Sequence, residues 1–282
     1  MTCLQKYIDL IQKNSTPAVI KNRTVFYLRT LDTDDAALAL QKCICGKSVL
    51  LDHEVAYVLG QMKREISIPF LIGLAQNTEA NPIVRHEAIE ALGNFSDKGI
   101  IEKIEPFLKD ETDLVRESAI LAIDKLKLDF QGELSIFGSR DPAHPAETDD
   151  LEKLRQMLTT GTLTEKYQAM FKLRDLNTKE TVRILATGFQ DPSGLLRHEI
   201  SYVFGQMENE HSIDVLESVI EDENEEDVVR HEAAEALGAI GTERCKEILQ
   251  RHKNTEIQII RESCEVGLEI LDKDSEEYLN VD

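Results

Sequence analysis

The chain has no tryptophan, seven prolines and five cysteines in 282 residues, and aromatic residues make up only 5% of it. A core so poor in rings has to be filled by Leu, Ile, Val and Ala, a composition that suits packed helices. The few prolines leave long stretches free to remain helical, and many of them fall between apolar periodic runs, where breakers belong. The cysteines, at 3, 43, 45, 245 and 264, form neither a paired framework nor a CxxC pair. Free thiols in a reducing compartment explain them, and the expected location is the cytoplasm. Basic residues are also in short supply: 32 Lys and Arg stand against 53 Asp and Glu, a net charge of −21. That balance excludes a nucleic-acid surface, which needs a basic face, and is compatible with a basic protein partner. No apolar run approaches the roughly 18 residues that a membrane-spanning helix requires. Met1 to Asn14 alternates apolar with charged residues and does not resemble a signal peptide.

What the chain does have is a repeated phrase. Arg85-His86-Glu87-Ala88-Ile89-Glu90-Ala91-Leu92-Gly93 returns as Arg230-His231-Glu232-Ala233-Ala234-Glu235-Ala236-Leu237-Gly238. Two looser copies are Asp52-His53-Glu54-Val55-Ala56-Tyr57-Val58-Leu59-Gly60 and Arg197-His198-Glu199-Ile200-Ser201-Tyr202-Val203-Phe204-Gly205. The His-to-His step is 33 residues within each half (86 − 53 and 231 − 198) and 145 between halves (198 − 53 and 231 − 86). Four of the seven histidines sit in this context, and the other three, His144, His211 and His252, do not. Outside the phrase the same 145-residue offset relates Phe26-Tyr27-Leu28-Arg29 to Phe171-Lys172-Leu173-Arg174, and Arg116-Glu117-Ser118 to Arg261-Glu262-Ser263.

Periodicity and breakers predict helices over 2–13, 24–45, 48–62, 67–76, 82–93, 100–109 and 112–127. A second set is predicted over 165–189, 192–207, 212–220, 225–240, 245–252 and 255–271, with a frayed tail from 276. The Gly- and Pro-broken acidic stretch 129–150 reads as a linker between an N-terminal half, 1–128, and a C-terminal half, 151–282. A helix pair recurring about every 33 residues is the mark of an α-solenoid. The spacing and the Val-Arg helix openings resemble HEAT-like repeats. The expected fold is therefore all-α, a solenoid of HEAT-like helical hairpins in two pseudo-symmetric halves that face each other.

One His-Glu pair cannot close around a metal by itself, because neighbouring residues on a helix project about 100° apart. Several helices must converge. Stacked helices lie roughly 10 Å apart, so His53 and His86 would be neighbours on one wall, and His198 and His231 on another. An isolated pair would read as ordinary packing. Four pairs in a duplicated frame do not, since packing has no need of His followed by a carboxylate, and the Arg116-Glu117 and Arg261-Glu262 repeats drop the His. Two imidazoles and one carboxylate per metal is the set favoured by non-haem Fe(II) in oxygen chemistry. Zinc rivals it on ligand type, but eight convergent N and O groups exceed what one tetrahedral zinc takes. Arg85, Arg197 and Arg230 are expected to tie acids within the stack, Tyr57 and Tyr202 to lie in the core, and the phrase glycines to mark close packing or helix ends. His211 and His252 are expected at the surface.

Taken together, the four His-Glu pairs in two halves resemble the deoxyhypusine hydroxylase family. Gly-Gln-Met follows the first pair of each half, and Ala-Glu-Ala-Leu-Gly the second. The resemblance spans nearly the whole chain. It implies O2-dependent hydroxylation of the deoxyhypusine side chain of a eukaryotic translation factor at a dinuclear iron centre, two irons per chain, in a monomer. By that resemblance His53, His86 and Glu87 hold one side of the cluster, and His198, His231 and Glu232 the other. Glu54 and Glu199 meet the cationic substrate chain. Two rival readings are a HEAT-repeat scaffold with no enzymatic role and a related bilin lyase.

Overall fold

The computed structural model describes residues 4–128 and 134–272. Among the described residues there are sixteen α-helices, joined by turns and short 3-10 segments, and no strand. They form two compact units, the first containing 4–128 and the second 134–272.

In the first unit the helices come in four antiparallel-type hairpin pairs along the chain. Helix α1 (Gln5–Gln12) pairs with α2 (Ala18–Leu31), and α3 (Asp34–Gln41) with α4 (Val49–Met62). Next, α5 (Ile68–Gln76) pairs with α6 (Pro82–Leu92), and α7 (Ile100–Ile104), prolonged by a 3-10 segment, with α8 (Asp113–Lys127). The second unit repeats the plan. Its pairs are α9 (Leu151–Thr160) with α10 (Leu163–Leu176), α11 (Lys179–Ala186) with α12 (Gly194–Met207), α13 (Ile213–Glu221) with α14 (Asp227–Ile240), and α15 (Glu243–His252) with α16 (Gln258–Asp272). In each unit the second helix of one pair packs on the second helix of the next: α2 on α4 on α6 on α8, and α10 on α12 on α14 on α16. A two-layered solenoid results, as expected, with the His-Glu phrases on the inner members of its stacks.

Local chemistry sets the helix ends. Ser48 Oγ accepts from Leu51 N at 3.0 Å and opens α4; Ser193 Oγ accepts from Leu196 N at 2.9 Å and opens α12. Four helices end on a non-glycine residue in the left-handed region: Asp32 (φ 44°), Lys63 (53°), Asn177 (41°) and Glu208 (48°). These positions obey the same duplication, 145 residues apart in pairs (177 − 32 and 208 − 63).

They also explain two corrections. The segments 24–45 and 165–189, each expected as a single helix, are two. Asp32 closes α2 and Thr33 caps α3, accepting from Ala36 N, while Asn177 closes α10 and Thr178 caps α11. An αL residue followed by a capping Thr breaks a helix without Gly or Pro, so no strong breaker stands in the sequence. The early part of the second half, where no helix was expected before 165, contains α9 and the start of α10, opened by the Asp150 and Thr162 caps. The tail from 276 lies outside the described residues.

The described part of the stretch expected as a linker, 134–150, belongs to the second unit. It is fastened there by Arg174, a fully buried cation on α10. The guanidinium pairs with Asp141 and Asp175 at 2.8 Å each, donates to Gln206 Oε1 at 2.9 Å, and lies against the Phe137 and Phe171 rings. Farther along, Ala146 N donates to Gln168 O, and the Gln168 amide meets His144 Nε2 at 3.0 Å.

The stacks are unusually close where the phrases meet. A Cβ on Gly60 of α4 would stand 2.7 Å from Ala91 Cα and Cβ on α6; one on Gly238 of α14 would stand 2.5 Å from Gly267 Cα on α16. Gly60→Ala is therefore expected to destabilise the fold by about 1–3 kcal/mol through forced separation of α4 and α6. Gly73 of α5 has open space around it, and Gly73→Ala should instead add about 0.5–1 kcal/mol. Denaturant unfolding of both variants checks this pair of opposite signs.

Candidate metal centre

The first unit brings His53 and Glu54 of α4 beside His86 and Glu87 of α6, all four buried and His86 fully so. The imidazole rings of His53 and His86 lie 5.5 Å apart, centre to centre. His53 Nε2 stands 3.3 Å from Glu87 Oε2, and its Nδ1 3.5 Å from Glu54 Oε1. Burial alone would disfavour a charged His53 ring, but the Glu54 and Glu87 carboxylates beside it raise its pKa well above the usual imidazole range.

The second unit builds the same arrangement from α12 and α14. His198, Glu199, His231 and Glu232 are all buried. The His198 and His231 rings are 5.6 Å apart, and His198 Nε2 lies 3.4 Å from Glu232 Oε2. Both units therefore juxtapose the two histidines that the 33-residue step made neighbours, with the second pair's carboxylate against the first pair's imidazole.

The donor set fits a metal. His53, His86 and Glu87 can each offer one ligand atom, all within 4.8 Å of one another. Two imidazole nitrogens and a carboxylate oxygen, with no thiolate, suit a divalent first-row ion. The thiols take no part: Cys43, Cys45, Cys245 and Cys264 are free, and burial pushes Cys43 and Cys264 up to about 12. Cys3 lies outside the described residues.

The flanking residues are structural. Arg85 Nε donates to Ala75 O at 2.9 Å, and its Nη2 pairs with Asp110 at 2.6 Å. Arg230 donates twice to Ile220 O, and Arg197 pairs with Glu225 while donating to Asp191 O. Asp52, which stands where the second unit has Arg197, instead accepts from Cys45 N and Gly46 N. Tyr57 and Tyr202 are half-buried rather than wholly in the core, and Gln206 Nε2 donates to Tyr202 Oη at 3.0 Å. His211 is exposed, but His252, expected at the surface, is half-buried.

Four residues beside the centre were not singled out from the sequence. Glu90, one turn beyond His86, brings Oε1 to 3.6 Å from His86 Nδ1, and Ser118 of α8 donates to that oxygen at 3.0 Å. Glu235 stands 3.7 Å from His231 Nδ1, and Ser263 of α16 donates to it at 2.9 Å. The signal was present, since Glu90 and Glu235, like Ser118 and Ser263, lie 145 residues apart within phrases already matched.

Repeat architecture and site together define a HEAT-repeat protein with a buried His/Glu centre, and residues 76–170 and 180–269 match the family described as HEAT repeats. The zebrafish (Danio rerio) deoxyhypusine hydroxylase is 40% identical over 260 residues, covering 89% of this chain and 85% of that protein. The Candida albicans deoxyhypusine hydroxylase is 38% identical over 293 residues, covering 96% and 92%. The structure of human deoxyhypusine hydroxylase in complex with glycerol matches with a TM-score of 0.91 at 37% identity, covering 95% of this chain and 96% of that one. The chain belongs to the deoxyhypusine hydroxylase family. None of its helices is long and apolar enough to cross a membrane, among the described residues.

Although desolvation opposes it, the Arg85 guanidinium, with hydrogen bonds from Thr112, holds the Asp110 carboxyl below its ordinary value. A lowered folded-state pKa adds stability above the unfolded value, about 4, and loses it as pH falls through the folded one. The stability difference between the chain and Arg85→Leu should therefore be full near neutrality and shrink in acid. Denaturant midpoints of both proteins from neutral pH downward measure it.

Proposed function

We propose that this chain hydroxylates the deoxyhypusine side chain of a eukaryotic translation factor, with O2, at a dinuclear non-haem iron centre. It would act as a cytoplasmic monomer holding two irons, through His53, His86 and Glu87 in the first unit and His198, His231 and Glu232 in the second. The observation that carries this reading is the twofold occurrence of a buried imidazole pair with a carboxylate 3.3 or 3.4 Å from one ring, in a chain of this family. Bound iron would supply the reductive activation of O2 that insertion of an oxygen atom into a C–H bond needs.

The remaining chemistry falls to the chain itself. Each unit gives a metal three ligands, and that leaves positions open for small molecules. Glu54 and Glu199, buried on the same helices, are then left for the substrate. A deoxyhypusine side chain carries ammonium groups, and a desolvated carboxylate is their natural partner through charge-assisted hydrogen bonds. These contacts would hold the reacting carbon at a fixed depth, where proximity rather than affinity gives the rate. Burial of the site also keeps bulk water from the oxidising step. The net charge of −21 would favour encounter with a basic substrate protein. A scaffold would gain nothing from burying eight such groups, and no observation favours a bilin lyase.

The test has two arms. Iron-loaded chain, given O2, a reductant and the deoxyhypusine-bearing factor, should add one oxygen atom to the side chain by mass; no gain of oxygen would contradict the reading. In the second arm, His86→Ala and His231→Ala should lose iron. Glu54→Ala and Glu199→Ala should keep it but bind the factor on the order of 10- to 100-fold more weakly, the loss of a charge-assisted contact. Iron loss in the Glu54 and Glu199 variants as complete as in the His variants would refute the division of roles.

A further inference from the structure

Each deep histidine, His86 and His231, has a carboxylate one helical turn further along, and that carboxylate is itself held by a serine of the next inner helix. In the first unit Glu90 Oε1 lies 3.6 Å from His86 Nδ1 and accepts from Ser118 Oγ at 3.0 Å. In the second unit the corresponding distances are 3.7 Å and 2.9 Å. Both serines are fully buried, and both glutamates are mostly so. The two units differ at neighbouring positions, Ile89 against Ala234 and Ile123 against Leu268, and both keep the His, the Glu and the Ser. The fourth repeat of each unit drops the histidine of the phrase and carries the serine, Ser118 or Ser263, where the phrase has its glutamate.

We infer that Glu90 with Ser118, and Glu235 with Ser263, are positioning residues that hold His86 and His231 as the Nδ1–H tautomer, turning Nε2 toward the metal. The inference rests on the metal-centre reading. At 3.6 and 3.7 Å the atoms stand just beyond hydrogen-bond distance, and because a carboxylate accepts, the ring nitrogen that would close on it is the donor. The serine hydroxyl fixes the carboxylate by donating to it. With the proton at Nδ1, the Nε2 lone pair is left for a cation. An imidazole that binds metal through one nitrogen commonly hands its other N–H to such a carboxylate, which fixes ring orientation and raises ligand basicity. The fourth repeats, without a ligand of their own, thereby take part in each centre through α8 and α16.

A purely structural role is the alternative, because the Ser118–Glu90 and Ser263–Glu235 bonds also join neighbouring helices. Anaerobic Fe(II) titration of the metal-stripped full chain, beside thermal unfolding of the same metal-free proteins, separates the two. Glu90→Ala and Glu235→Ala should weaken iron binding on the order of 10- to 100-fold, the usual cost of losing such a partner. Glu90→Gln, which keeps an acceptor oxygen, should recover most of the affinity. Ser118→Ala, a milder change that leaves the carboxylate in place, should weaken binding in the same direction by less. Unchanged iron affinity in the Ala variants, whatever their melting temperature, would overturn the inference while leaving the metal-centre reading intact. Loss of iron in Glu90→Gln as complete as in His86→Ala would make Glu90 a ligand and overturn it as well. Failure of the unsubstituted chain to bind iron would refute the metal-centre reading and this inference with it.

Discussion

Imidazole against carboxylate, buried between stacked helices, is the interaction on which the rest of this structure depends. Removing an ionised carboxylate from water costs several kcal/mol unless a positive partner repays it. His53 beside Glu87, and His198 beside Glu232, are such pairs, enclosed on inner helices where aliphatic packing would be the ordinary choice. The raised pKa of His53 shows how strongly its surroundings favour positive charge. The two units keep this pairing of buried imidazole and carboxylate alike.

The solenoid makes that arrangement possible. Because the second helix of every pair stacks on the next, a residue and its counterpart one repeat later project side by side. Small residues then determine how near they come. Gly60 against Ala91 in the first unit, and Gly205 against Ala236 in the second, bring the helices that carry the histidines closer than a larger side chain would fit without the neighbour giving way. The imidazole rings 5.5 and 5.6 Å apart follow from that stacking. In the second unit the buried Arg174 of α10 holds the Asp141 stretch and, through Gln206, reaches α12, the helix that carries His198 and Glu199.

Much of this was legible in the residues. The 33-residue step located the helices that stack, and the 145-residue offset showed that each contact should occur twice. Arg85 and Arg197 tie acids as expected, whereas Arg230 ties the Ile220 carbonyl instead. What escaped notice did so for physical reasons. The breaks at Asp32 and Asn177 depend on single left-handed residues backed by a Thr cap, which composition hardly distinguishes from helix. Helix α9 begins at Leu151, directly behind a stretch rich in acids and breakers, and its Asp150 cap reads as one more loop residue. Glu90 and Ser118 are far apart in sequence and meet only because α6 and α8 stack, so their pairing could be read only once the stack itself was in view. His252 is half-buried, and burial lowers its pKa.

Metal content per chain tests the central claim most directly. Purified full-length protein, reconstituted anaerobically with Fe(II), freed of excess metal and analysed for elements, should hold two irons. It should also show a visible absorption band after exposure to O2 that the metal-stripped chain lacks. A single zinc, or no retained metal in protein that is folded by circular dichroism, would contradict the account.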